Sequence, residues 1–124
     1  SGLLASTKRV EASASNIANA SSSGALDPAD GPEAYNALTT VQQPQETGGV
    51  LADIVEKDPS TLPAFNPSAP FANSDGFVAA PNVNLAEESV HLKIAETAYK
   101  ANLATIKTAG DISDELLRIF DERV

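Results

Sequence analysis

The chain has 124 residues, a length that suits one small domain with a limited core. Hydrophobic residues make up 42% but aromatics only 5%, with no Trp, Cys or Met. The apolar content is therefore largely Ala, Val, Leu and Ile, small side chains that pack helices closely and bury little area each. The formal charge of −9 makes nucleic acid and anionic lipid poor partners. No apolar run approaches the ~20 residues that cross a bilayer, which argues against direct membrane insertion. The absence of Cys removes disulfides, thiolate metal sites and a Cys nucleophile, without identifying a compartment.

In chain order, Leu3, Val10 and Ile17 recur at seven-residue spacing with Thr7 and Ala14 between them. This predicts a helix over residues 3 to about 20 with a weak apolar seam. Lys8, Arg9 and Glu11 fall off the seam, and Ser21-Ser22-Ser23-Gly24 suits a helix end. Asn16 and Asn19 share one face near that end. The pattern alone reads them as capping residues; the alternative is that their amides bond backbone groups of neighbouring helices.

Residues 24–81 hold all eight prolines and Gly31, Gly48, Gly49 and Gly76, so they cannot form a continuous helix. Residues 21–33 almost lack large apolar side chains and are expected to be mobile. Short β-prone runs lie at residues 35–42 and 49–56, where Val50, Ile54 and Val55 supply β-branched side chains. Asn66-Pro67 and Ala69-Pro70 predict extended chain. Asp75-Gly76 supplies the dihedrals of a tight turn entering another extended run at Phe77-Val78.

The strongest pattern runs from Leu85 to Phe120. Leu85, Leu92, Tyr99 and Ile106 repeat every seven residues, with Ala95, Ala109 and Leu116 in companion positions. Asn84 is placed to cap this helix, and Glu87 and Glu88 lie in its first turn, where the helix dipole favours acids. At ~1.5 Å per residue the helix would be roughly 55 Å long, and its stripe needs a partner: the N-terminal helix, other subunits, or both. Gly110 marks either a break or bend, or a glycine tolerated on a packed face. Asn102 sits in the stripe between Tyr99 and Ile106, where a buried Asn fixes register and partner number if paired.

The run Ala14-Ser15-Asn16-Ile17-Ala18-Asn19-Ala20-Ser21 resembles the N-terminal signature of flagellar axial proteins, the family of rod, hook and hook-associated subunits. Asn66-Pro67, Pro70, Ala72, Asp75-Gly76-Phe77-Val78 and Pro81-Asn82-Val83-Asn84 are similar to the FlgC type of proximal rod subunit, as are Glu88 and Tyr99-Lys100-Ala101-Asn102. The chain departs from the family's pattern at residues 22–33, at Ser89, at Glu96 and in the charged end Asp121-Glu122-Arg123. It also begins without Met and short of the family's opening residues, as a trimmed or processed chain would.

The resemblance implies a mainly α fold, with N- and C-terminal helices paired as an antiparallel coiled coil around an irregular, short-β middle segment. The corresponding regions are residues 1–22, 23–82 and 83–124. It further implies a non-enzymatic structural subunit of the flagellar basal-body rod, in the periplasm, exported through the flagellar type III apparatus without a cleaved signal peptide. Its partners would be copies of itself, other rod subunits and the membrane-ring base of the flagellum. The candidate assembly residues are Leu3, Val10, Asn16, Ile17, Asn19, Leu85, Leu92, Tyr99, Asn102, Ile106 and Leu116. The rival reading is a non-polymerising helical-hairpin adaptor of flagellar export or assembly.

Other chemistry is thinly represented. Glu88 and His91 have the Glu-x-x-His spacing of di-iron bundles, but such a site needs two pairs and the chain has one His. No nucleophile arrangement stands out, and Gly48-Gly49 lacks the Lys of a phosphate loop and reads as a turn. No cofactor or metal is expected. Asp111, Asp114, Glu115, Asp121 and Glu122 form an acidic run that reads first as a solvated face and second as a match for a basic neighbouring surface.

Overall fold

The computed structural model describes residues 1–123. In chain order it comprises α1 (Gly2–Asn19), a 3-10 turn (Pro28–Asp30), β1 (Leu38–Pro44), β2 (Val50–Glu56), β3 (Thr61–Phe65), β4 (Phe77–Pro81) and α2 (Leu85–Glu122). β1 pairs with β2 and β3 with β4, giving two antiparallel two-stranded sheets.

This overturns the expectation of a mainly α, coiled-coil fold: the chain is 48% helix and 20% strand, an α+β arrangement. The β-branched runs of the middle segment find partners in one another, as in Thr39 opposite Val55 and Thr40 opposite Ile54, and so satisfy their backbone groups within the sheet. The helices do lie side by side and antiparallel, with Gly2 against the Asn102 side chain and Asn16 bonded to Glu88. Their contact is not a knobs-into-holes seam, however. The buried face of α1 is Ala5, Ser6, Ala12, Ser13 and Asn16, small or polar residues on which α1 also packs against β1 and β2. Of the predicted α1 seam, Val10 is exposed and Leu3 and Ile17 are half-buried.

Each turn has a local cause. Gly48 and Gly49 adopt φ of 89° in the β1–β2 connection, closed by Gly48 N–H donating to the Gln45 carbonyl at 2.9 Å. Before β4, the Asn73 side-chain oxygen accepts from the N–H groups of Asp75 (3.1 Å) and Phe77 (2.8 Å), while Gly76 takes φ of 85°. That agrees with the tight turn expected at Asp75-Gly76.

One strand lies outside the sequence reading, and two local expectations are corrected. Strand β3 escapes the sequence pattern because Pro63 interrupts it, yet Pro63 is exposed and pairs in register with Ala79. Residues 66–72 are turns rather than extended chain, with Ala69 N–H donating to the Asn66 carbonyl and Ala72 N–H to that of Ala69. Residues 21–33 are tied down despite their composition. Gly24 exchanges two backbone bonds of 2.9 Å with Ala79, on the edge of β4 away from β3, and Ala25 is buried.

Helix α2 starts as its sequence directs: Asn84 is the cap, its side chain accepting from Glu87 N–H at 3.1 Å. It then runs unbroken for 38 residues, about 57 Å, through Gly110, whose missing side chain faces open space. A glycine there costs helix propensity but meets no clash, so the helix does not break at Gly110, yet the glycine lies on an open face rather than the packed one expected.

Candidate assembly surface

The two helices are unequal, and the mismatch creates the surface. α1 begins opposite Asn102, so residues 103–122 of α2 extend about 30 Å beyond it. Only Glu88 and Ala95 of α2 are fully buried. Beyond Asn102 the large apolar side chains Leu103, Ile106, Ile112, Leu116, Leu117, Ile119 and Phe120 are all exposed, from 44% for Ile119 to 72% for Phe120. Scattered exposed apolar residues are ordinary, but a run of this kind on one unpartnered helix marks an interaction surface.

The other half of α2 is locked to the body by a buried polar network. Asn16, fully buried, uses all four of its hydrogen-bonding positions. Its amide nitrogen donates to the Leu38 carbonyl (2.8 Å) and to Glu88 Oε1 (2.9 Å); its oxygen accepts from Leu38 N–H (2.8 Å) and from the Tyr35 hydroxyl (3.0 Å). Ser15 completes the chain by bonding the Tyr35 hydroxyl at 2.7 Å. One amide thus joins α1 to the start of β1 and to α2.

Glu88 is the charged centre of this network, 1% exposed. Lys57 donates to it at 3.4 Å and also to the Asn82 carbonyl at 3.2 Å. Burial alone would raise the Glu88 carboxyl's pKa, but hydrogen bonds from Ser13 and Asn16 and the Lys57 ammonium outweigh burial and hold it below the usual carboxylate range. A buried carboxylate is tolerable only when its oxygens are satisfied, and among the described residues no buried side-chain polar atom lacks a partner. His91 stays at the surface, 3.8 Å from Glu88 and 3.9 Å from Glu87, and no group of three metal-ligating side chains is found among the described residues.

The residues singled out for assembly divide into three sets. Leu85, Tyr99, Ile106 and Leu116 are exposed along α2, and Val10 is exposed on α1. Leu3, Ile17, Asn19, Leu92 and Asn102 are half-buried at or near the helix pair; Asn19 bonds the Ser15 carbonyl (2.9 Å) and Asn102 that of Ala98 (2.8 Å), each within its own helix. Asn16 is wholly consumed inside the subunit. Sequence reasoning saw Glu88 as a matching position but missed the lock it forms with Asn16 and Lys57. One signal was available: Glu88 lies three residues after Leu85 and four before Leu92, inside the apolar stripe.

Comparison with known proteins bears on this geometry. Residues 74–119, spanning β4 and most of α2, match the model of the flagellar basal body rod FlgEFG protein C-terminal family. The chain is 34% identical over 116 residues to the flagellar basal-body rod protein FlgC of Salmonella typhimurium, covering 87% of this chain and 82% of that one. Against FlgC of Yersinia enterocolitica it is 36% identical over 120 residues, covering 90% and 85%. The chain belongs to the FlgC family of flagellar basal-body rod proteins. FlgC of Buchnera aphidicola, 31% identical over 126 residues, extends the match to 98% of this chain and 92% of that one. Membership accounts for the resemblance at both chain ends. In this FlgC-family chain, two residues that carried the resemblance, Asn16 and Glu88, are the two that the fold bonds directly to each other.

Proposed function

We propose that this chain is a structural subunit of the flagellar basal-body rod that assembles with copies of itself and with other rod subunits through α2. The observation that carries this reading is the exposed apolar run on the α2 overhang. A helix so long, with one side packed only to Asn102, gains by burying Ile106, Ile112 and Leu116 against neighbours, each fully buried side chain contributing about 1.5–3 kcal/mol. Val10, Leu85 and Tyr99 extend the same role toward the body of the subunit, while the hairpins of the middle segment, residues 23–82, face outward. In that setting the subunit passes torque along the rod, contacts the membrane-ring base and reaches the periplasm without a cleaved signal peptide. The relatives are structural rod proteins, and the reading assigns no catalytic step to this chain.

Ile106→Asp tests it. Ile106 is 59% exposed, so the substitution leaves the subunit folded, with its unfolding free energy by urea titration within about 0.5 kcal/mol of the parent. In the assembled rod the carboxylate would be desolvated without a partner, at a cost of several kcal/mol, and the variant should be lost from isolated basal bodies. Normal incorporation of Ile106→Asp would remove the overhang as the assembly surface.

A further inference from the structure

A cleft of about 270 Å³ opens where α1, β1 and α2 meet. Arg9 and Ser13, one turn apart on α1, line it together with Thr39 and Thr40 of β1 and His91 of α2. Its polar groups fall into two sets. Lys57 and Glu88, which also line it, are already committed: they meet at 3.4 Å, Lys57 donates to the Asn82 carbonyl and Glu88 accepts from Asn16. As an ion pair they add no net charge to the cleft, and Glu88 is its only carboxylate among the described residues.

The second set has no partner. Among the described residues the Arg9 guanidinium and the Thr39 and Thr40 hydroxyls make no side-chain hydrogen bond or ion pair, whereas Lys8, next to Arg9, holds Asp53 at 3.4 Å. His91 stands 3.8 Å from Glu88 and 3.9 Å from Glu87, beyond hydrogen-bond reach of either. In a chain with 17 acidic residues for eight basic ones, an arginine has carboxylates to spare, yet this half-buried one meets none. Its five N–H donors form a planar fork that fits the oxygens of an oxyanion two at a time, and the two hydroxyls add donors from a different element. The cleft therefore presents spare donors and one uncompensated positive charge.

We infer that this cleft binds a phosphate-class oxyanion, free or as a monoester, through Arg9, Thr39 and Thr40. Ala12, Leu38 and Ile94 supply apolar lining against which the organic part of a monoester can lie. Because the donors come from α1 and β1, the bound anion ties the helix to the hairpin and stabilises the folded subunit over the unfolded chain. The site is separate from the assembly surface, which lies beyond Asn102 on α2, and it stands whether or not that surface builds rods.

Urea unfolding of the purified chain tests it, with inorganic phosphate or phenyl phosphate replacing chloride at constant ionic strength. A site of about 1 mM affinity raises the ratio of folded to unfolded chain about tenfold at 10 mM ligand. Arg9→Gln and, separately, Thr40→Val should each cut that gain to about twofold or less, measured against the variant's own stability in chloride. Phosphate also stabilises proteins by exclusion from their surfaces, but that effect acts alike on parent and variants and cancels in the comparison. Equal gains from the two ligands identify the free anion as the occupant; a larger gain from phenyl phosphate identifies a monoester. Amide resonances supply a second measurement: those of residues 9, 39 and 40 should shift saturably with phosphate in the parent and stay still in Arg9→Gln. No gain in stability, or a gain that survives Arg9→Gln undiminished, overturns the inference.

Discussion

Replacing Asn16 by Ala should be among the most damaging single changes in the subunit, because Asn16 is fully buried within it. The substitution removes four hydrogen bonds and leaves the Leu38 N–H and carbonyl without their side-chain partner. Glu88 keeps Ser13 and Lys57, and Tyr35 keeps Ser15, so those two groups are only partly orphaned. Counting about 1 kcal/mol for each of the two Leu38 bonds, and a further 1–2 kcal/mol for the buried polar groups left unsatisfied, gives about 3–4 kcal/mol. That is a large share of the 5–15 kcal/mol typical of a folded domain. Urea unfolding followed by helical circular dichroism should show the midpoint falling by about 2 M with an unchanged slope, taking about 1.5–2 kcal/mol per molar urea for a chain of this size. Asn16→Asp sharpens the test, because it sets a second carboxylate beside Glu88 and should be worse than Ala at neutral pH and less so in acid. A loss below about 1 kcal/mol for Asn16→Ala would refute the view that this amide holds α1, β1 and α2 in register.

Other outcomes follow from the same geometry. Glu88 has a lowered pKa in the folded state, so the stability it confers is fully present above the ordinary carboxylate value of about 4.3 and is lost as pH falls through the folded-state value. Glu88→Gln should therefore cost about 2 kcal/mol at pH 7 and flatten the decline in unfolding free energy between about pH 5 and pH 3, measured by urea titration at each pH. Gly110→Ala should stabilise the subunit by about 0.5–1 kcal/mol in the same assay, because an added methyl meets open space in a continuous helix. Gly76→Ala should do the reverse and cost more than 1 kcal/mol: φ is 85°, and the new carbon would lie 2.8 Å from the Phe65 ring. The near-ultraviolet dichroism of the Phe65–Phe77 edge-to-face pair, whose rings are 5.5 Å apart, should weaken with it.

What the chain's own order of residues decided is mostly local. The Asn84 cap, the acidic first turn and the heptad from Leu85 delimit α2 to within two residues at either end, because capping and periodicity act over a single turn. The Gly48-Gly49 and Asp75-Gly76 turns were legible for a similar reason, since few residues other than glycine adopt their dihedrals readily. The family match came from motifs at both chain ends.

Tertiary structure alone decided the rest. The four short strands pair as two neighbouring hairpins, but their registers and ends are set by how those hairpins pack, and Pro63 hides one of the strands. The anchoring of residues 21–33 rests on Gly24 finding the free edge of β4, a partner more than fifty residues away that no local composition reveals. The same holds for Asn16. Its position suggested a cap or an outward contact, but with Leu38 and Glu88 folded against it the amide had every bond it could make inside the subunit. Periodicity shows which side chains share a helix face. Only the packed fold settles which part of that face is already covered, and here it leaves the stripe beyond Asn102 open to water.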